Sequence, residues 1–166
     1  METFYNPTDK DLQHFRSVFR KYTIKSVLDV GAGNGVLLNK LALFIDESDI
    51  NYVGIDIAYG KEIDKPIPVS SNVKFITESI GFYDYVVRLG EMIRFDCVIS
   101  SWMGQYFDWR MMMDNLSSKL CILVLSQDWN TGLPQVYTGF KSYGYKLAIP
   151  VFRSSKSIIQ VWSKVG

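Results

Sequence analysis

Histidine and cysteine are scarce in this sequence, and their scarcity removes several chemistries. With one histidine, His14, and two cysteines, Cys97 and Cys121, no zinc-type ligand set can be assembled, and a Ser-His-Asp triad would depend on His14 alone. Both cysteines lie inside apolar runs and read as buried, reduced thiols of a cytoplasmic protein, not as a disulfide framework. Long hydrophobic runs are missing too. The longest, Leu120 to Leu125, is far short of the roughly 20 residues that span a bilayer, so no membrane partner is expected. The opening METFYNPTDKDLQHF has no apolar core of a secretory leader. Nor is there an excess of one charge: 18 Lys+Arg against 17 Asp+Glu give a net charge of +1, which sets up no global field toward nucleic acid. What is abundant is aromatic side chains, 14% of the 166 residues, more than a core of this size needs.

Apolar periodicity divides the chain into alternating elements. Residues 8–22 read as a helix, with Leu12, Phe15, Val18, Phe19 and Tyr22 on one face, Thr8 as N-cap, and Arg16, Arg20 and Lys21 on the other side. Short apolar strands are expected at 27–30, 51–57, 73–77, 95–100 and 119–126. Helices are expected over 35–45, 82–93, 108–118 and 133–143. Two final strands, 145–152 and 157–163, flank the polar turn RSSK, a connection short enough to make them antiparallel. Alternating strand and helix imply an α/β fold: a mostly parallel sheet of about seven strands, helices on both faces, and a C-terminal antiparallel hairpin. No repeat or linker interrupts the pattern, so a single domain over 1–166 is expected, with a cofactor half at about 25–93 and an acceptor half at about 94–166.

The first strand runs into Asp29-Val30-Gly31-Ala32-Gly33-Asn34-Gly35, a loop that opens a helix. Its glycines let the chain turn sharply and let a ligand approach the backbone. The spacing is neither that of a dinucleotide fingerprint nor that of a P-loop. Asp56 ends the second strand, where a carboxylate can accept both hydroxyls of a ribose. Glycine loop and acid together describe a nucleoside site at the carboxyl ends of parallel strands.

On these residues the chain resembles the class I S-adenosylmethionine-dependent methyltransferases, and the resemblance runs over nearly its whole length. VLDVGAGNG (27–35) resembles their first motif, YVGIDIA (52–58) the second, VKFITES (73–79) the third and FDCVISSWM (95–103) the fourth. The resemblance implies a Rossmann-like fold and S-adenosyl-L-methionine as cofactor. It implies that Asp29 and Gly31 hold the methionine end, with Ala32, Gly33, Asn34 and Gly35 completing the loop. Asp56 would then take the ribose, Ile57 would pack on the adenine, Glu78 would face its amino group with Ser79 beside it in the cofactor site, and Ser100 would line the transfer site.

The acceptor is narrowed by what is absent. Ser101 stands where ribose 2′-O enzymes of this family carry a catalytic Asp, and neither an Asn/Asp-Pro-Pro-Tyr run nor a Pro-Cys nucleophile is present. The fourth-strand segment resembles that of RNA cap guanine-N7 methyltransferases at Phe95, Asp96, Val98, Ser100 and Tyr106, with Gln105 in place of their His. That resemblance implies capped RNA as partner, and the small size without an insertion suits a viral enzyme or a domain excised from a polyprotein. Guanine N7 is an unprotonated lone pair, so transfer to it needs alignment and no general base. Ser100, Ser101, Trp102 and Tyr106 would do the positioning, and rings such as Trp102, Tyr106 and Trp129 would face the cationic product. Phe107 and Trp109 follow the same strand and read equally as core. Asp128 could pair with guanine N–H donors or cap the next turn. Arg16, Arg20 and Lys21 would meet the RNA backbone. A small-molecule or protein acceptor, and an inactive scaffold serving a partner subunit, are the other readings. No DNA-binding motif is present.

Overall fold

In the computed structural model, residues 4–79, 81–82, 93–104, 106–128 and 131–165 are described. Helix α1 (Asp9–Lys21) opens on a capping box: the Thr8 hydroxyl accepts from the Asp11 N–H at 3.1 Å, and the Asp11 carboxylate accepts from the Thr8 N–H at 3.1 Å. Strand β1 (Ser26–Val30), helix α2 (Val36–Ile45), and strands β2 (Asn51–Ile55) and β3 (Val73–Ile76) follow. Then come β4 (Phe95–Ser101), α3 (Arg110–Leu116), β5 (Ser117–Ser126), two 3₁₀ turns (Pro134–Thr138 and Lys141–Tyr143), β6 (Tyr145–Leu147), β7 (Phe152–Arg153) and β8 (Ser157–Lys164).

One sheet of eight strands joins them in the order β3-β2-β1-β4-β5-β8-β6, with β7 paired to β8. Strands β1 to β5 pair in parallel, and β8 runs antiparallel to β5, β6 and β7. The order reverses between β1 and β4, and at such a switch point the loops leaving the two strands part to open a crevice.

Alternation along β1, β4 and β5 divides the core. Val27, Cys97, Ile99, Leu120 and Ile122 pack with Phe15 and Phe19 of α1 and Leu38 and Leu41 of α2. Leu28, Val30, Val98, Cys121 and Leu123 pack on the other face with Met113 and Leu116 of α3, Val136 and Phe140. Burial pushes the Cys97 thiol well above its ordinary range and the Cys121 thiol up to about 12, so both are inert and free, as the apolar runs predict.

Three expectations change. The predicted helix at 133–143 is two 3₁₀ turns: Val136 and Phe140 are buried as expected, but Gly139 at φ +72° breaks the helix between them. The predicted strand 145–152 is split into β6 and β7 around Pro150, which has no N–H for the ladder. Helix α3 ends at Leu116, and β5 begins at once with Ser117. The expected helix at 82–93 falls largely outside the described residues.

Candidate functional site

The glycine loop is stitched to the end of β2, because the Gly31 and Ala32 N–H groups both donate to the Ile55 carbonyl at 2.9 Å. Gly31 has φ +70°, and a Cβ there would lie 2.8 Å from the Trp109 ring, so only glycine allows both the turn and that contact. The Phe4 ring packs on Gly33. Asn34 is exposed and its Oδ1 accepts from the Val36 N–H at 3.2 Å, while Gly35, in a left-handed conformation, caps α2.

Asp56 stands across from this loop. Its Oδ2 accepts from the Gly33 N–H at 3.1 Å and its Oδ1 from the Ala58 N–H at 2.9 Å. A carboxylate has about four acceptor positions, so each oxygen keeps one for a ligand hydroxyl. Asp56 shares a cavity of about 330 Å³ with Gly31, Ile57, Glu78 and Ser79, all chosen from sequence. Phe107 and Trp109 complete its wall, and Trp109 therefore belongs to the site. Ile57 is 60% exposed, an apolar side chain with little packed on it.

A cluster of buried polar atoms lies beside the loop. Both carboxylate oxygens of Asp29, the Ser100 hydroxyl and the Tyr59 hydroxyl are buried with no hydrogen-bond partner among the described residues. Asp29 pairs with Ile99 in the sheet and shares its face, whereas Ser100, one step further along β4, points to the opposite face. Burial, and then the charge of Asp56, push the Asp29 carboxyl well above its ordinary range. Burial, then Asp29 and Asp56, raise the Tyr59 hydroxyl, so Tyr59 faces both acids. The unpaired Asp29 oxygens are open acceptors for hydrogen-bond donors.

On the other side of the sheet's switch point, Trp102 follows β4 with φ +50°, a conformation bulky L residues rarely adopt. Its indole N–H donates to Ser157 Oγ at 3.2 Å, and it lines a second cavity, of about 240 Å³, with residues 5–8, Asp11 and residues 154–157. Ser101 is half-buried in β4 and pairs with Val124. Tyr106 is 77% exposed and lines neither cavity. Asp128 is exposed in the turn after β5, and Gln105 and Trp129 fall outside the described residues. The basic face of α1 turns elsewhere: Arg16 lies over the Phe44 ring at 4.6 Å, Arg20 pairs with Glu47 at 3.4 Å, and Lys21 lies over Tyr22 at 5.5 Å. These three cations line neither cavity, so they do not converge with Trp102 as the sequence reading expects.

Trp109, Tyr59 and Asp11 carry no motif of their own. A weak signal exists for Asp11, three residues after an N-cap threonine, where a capping box draws a carboxylate inward. Among the described residues no group of three or more His, Cys, Asp or Glu could hold a metal, and no helix is long and apolar enough to cross a membrane.

Strand order, glycine loop and the acid just after β2 together have the form of the class I methyltransferase fold. Solved structures with this fold are similar over almost the whole chain. The magnesium protoporphyrin IX methyltransferase ChlM of Synechocystis PCC 6803, solved with bound SAM, is 17% identical with a TM-score of 0.57, over 93% of this chain and 79% of that one. An O-methyltransferase from Bacillus cereus in complex with SAH is 14% identical with a TM-score of 0.64, over 96% and 83%. The methyltransferase domain of a bacterial CtHen1 is 12% identical with a TM-score of 0.64, over 93% and 97%. No protein-family model matches the sequence, and no curated protein matches it.

Proposed function

We propose that this chain is an S-adenosylmethionine-dependent methyltransferase. The reading rests above all on the unpartnered, buried Asp29 carboxylate at the base of the glycine loop, next to a cavity that ends on Asp56, Ile57 and Glu78. A ligand with an ammonium at one end and an adenosine at the other matches both ends. Asp29 accepts from the ammonium, Asp56 accepts from the ribose hydroxyls, and Ile57 covers the adenine. When bound, S-adenosylmethionine supplies an electrophilic methyl group on a sulfonium. Ser100, Ser101 and Trp102 then position the acceptor at the carboxyl end of β4.

The finer reading is transfer to guanine N7 of an RNA 5′ cap. It is supported by the FDCVIS segment and by Trp102, and it makes capped RNA the partner. A small-molecule acceptor is the second reading, favoured by the roughly 240 Å³ size of the cavity beside Trp102. Incubation with labelled S-adenosylmethionine and, separately, capped RNA, uncapped RNA and phenolic metabolites separates them. Label confined to capped RNA supports the cap reading, and equal label on uncapped RNA refutes it. Absence of transfer to any acceptor despite cofactor binding would point to a scaffold that serves a partner subunit. Asp56→Ala should weaken cofactor binding about a hundredfold, since charge-assisted hydrogen bonds to the ribose are lost. Unchanged affinity in a variant with wild-type circular dichroism would sink the assignment.

A further inference from the structure

The smaller cavity has a buried charge that the proposed cofactor site does not use. Asp11 is 1% exposed. Its Oδ2 is engaged twice, by the Tyr5 hydroxyl at 2.7 Å and by the Thr8 N–H at 3.1 Å. Its Oδ1 is buried with no hydrogen-bond partner among the described residues, and Asp11 lines the cavity. A carboxylate is an acceptor only, so whatever satisfies Oδ1 must bring an N–H or O–H.

The remaining walls define the shape of that donor's carrier. Trp102 offers an aromatic surface, fixed by its indole N–H on Ser157 and by Tyr5, whose ring centroid lies 6.0 Å away. The left-handed backbone of Trp102 is held by its N–H on the Val124 carbonyl at 2.8 Å. Strain of that kind persists only where surrounding contacts fix it, and it gathers at ligand sites. The cavity also borders the glycine loop through the chain itself: Phe4 packs on Gly33, and its neighbour Tyr5 forms the cavity wall. Trp102 directly follows Ser101 at the carboxyl end of β4, the end toward which the glycine loop of the neighbouring β1 also opens.

We infer that this cavity is the acceptor pocket and that Asp11 sets its specificity, accepting a hydrogen bond from a flat aromatic acceptor that lies against Trp102. The inference rests on the methyltransferase reading, and it names the acceptor's class: a planar ring bearing an O–H or N–H donor. Two sources share that chemistry, a phenolic metabolite and a purine base.

Catechol and guanosine serve as the two probes, titrated by saturation-transfer NMR into the full chain with and without S-adenosylhomocysteine. The pocket requires that at least one of them binds, and which one identifies the source. Asp11→Asn should weaken that binding about tenfold, the loss expected for a hydrogen bond to a charged group. Because Asp11 also caps α1, a second variant is needed. Ser155→Trp, on the exposed turn at the cavity rim, should fill the pocket and abolish probe binding while leaving S-adenosylhomocysteine affinity unchanged. Binding of neither probe to the cofactor-loaded chain, or full binding in the Ser155→Trp variant, overturns the pocket alone. Failure of the wild-type chain to bind S-adenosylhomocysteine overturns the methyltransferase reading and the acceptor role with it.

Discussion

Asp29 is held where an ionised carboxylate is hardest to keep, fully buried at the end of β1 and facing Asp56. Its pKa is raised by burial and then by that neighbouring charge, so the folded chain binds this proton more tightly than the unfolded chain does. The stability it contributes is therefore complete below the ordinary carboxyl range and is lost as pH rises through the raised value. A ligand ammonium reverses the preference by favouring the ionised form. S-adenosylhomocysteine affinity should accordingly climb with pH through that range and then level off. Asp29→Asn should flatten the profile, lower affinity at pH 8 about tenfold or more, and raise the melting temperature of the ligand-free protein at that pH. Calorimetric titration across pH checks the first two, and thermal unfolding the third. At this scale the sequence is legible wherever chemistry is local. Asp29, Gly31 and Asp56 sit in contiguous motifs whose geometry follows from strand, turn and strand. Trp109 and Tyr59 are not legible, because each reaches the site through tertiary packing: Trp109 on Gly31, and Tyr59 toward Asp29 of β1.

The segment between β4 and α3 carries Phe107 and Trp109 into the cavity, and a part-buried ion pair holds it there. Arg110 donates to Asp108 through Nε at 2.9 Å and through a terminal nitrogen at 2.8 Å, and its other terminal nitrogen donates to the Gly139 carbonyl at 2.7 Å. Burial alone would raise the Asp108 carboxyl, but the Arg110 fork overrides it and holds it below the usual range. Arg110→Ala removes the side-chain donors from Asp108 and the Gly139 carbonyl, leaving Asp108 only the backbone N–H of residue 110 at 3.1 Å. It should cost about 1–3 kcal/mol in chemical denaturation. It should also weaken S-adenosylhomocysteine binding, since Trp109 loses its anchor. Lysine at this position should restore little, having no planar fork. The same contact explains why residues 133–143 mislead as sequence. The spacing of Val136 and Phe140 suits a helix, yet the backbone turns left-handed at Gly139, against the Trp162 ring, and the Gly139 carbonyl is free to take Arg110.

Across the whole molecule, a ligand that binds only the folded state stabilises it by mass action. Saturation with S-adenosylhomocysteine at a hundred times its dissociation constant adds about 2.7 kcal/mol. For a chain of this size that corresponds to a rise in melting temperature of about 5–10 °C, measurable by dye-based thermal unfolding. No shift at any concentration would remove the cofactor assignment. The global architecture was readable because alternation of strand and helix leaves few topologies, and the apolar run at Leu120–Leu125 marks a strand covered on both faces. What the sequence hid was convergence: Arg16 meets Phe44 of α2, Arg20 meets Glu47 just beyond it and Lys21 lies over Tyr22, while an acid of the same helix, Asp11, lines the cavity in their place.

One edge of the sheet is β3, and the other is β6 with the two-residue β7 beside it; β3 and β6 are four and three residues long. Each carries an exposed lysine, Lys74 and Lys146. A neighbouring chain seeking to extend the ladder would find few open amide groups and would have to bury an ammonium to use them. The interior of the sheet can therefore be as apolar as β5 without turning its rims into templates for fibrous growth.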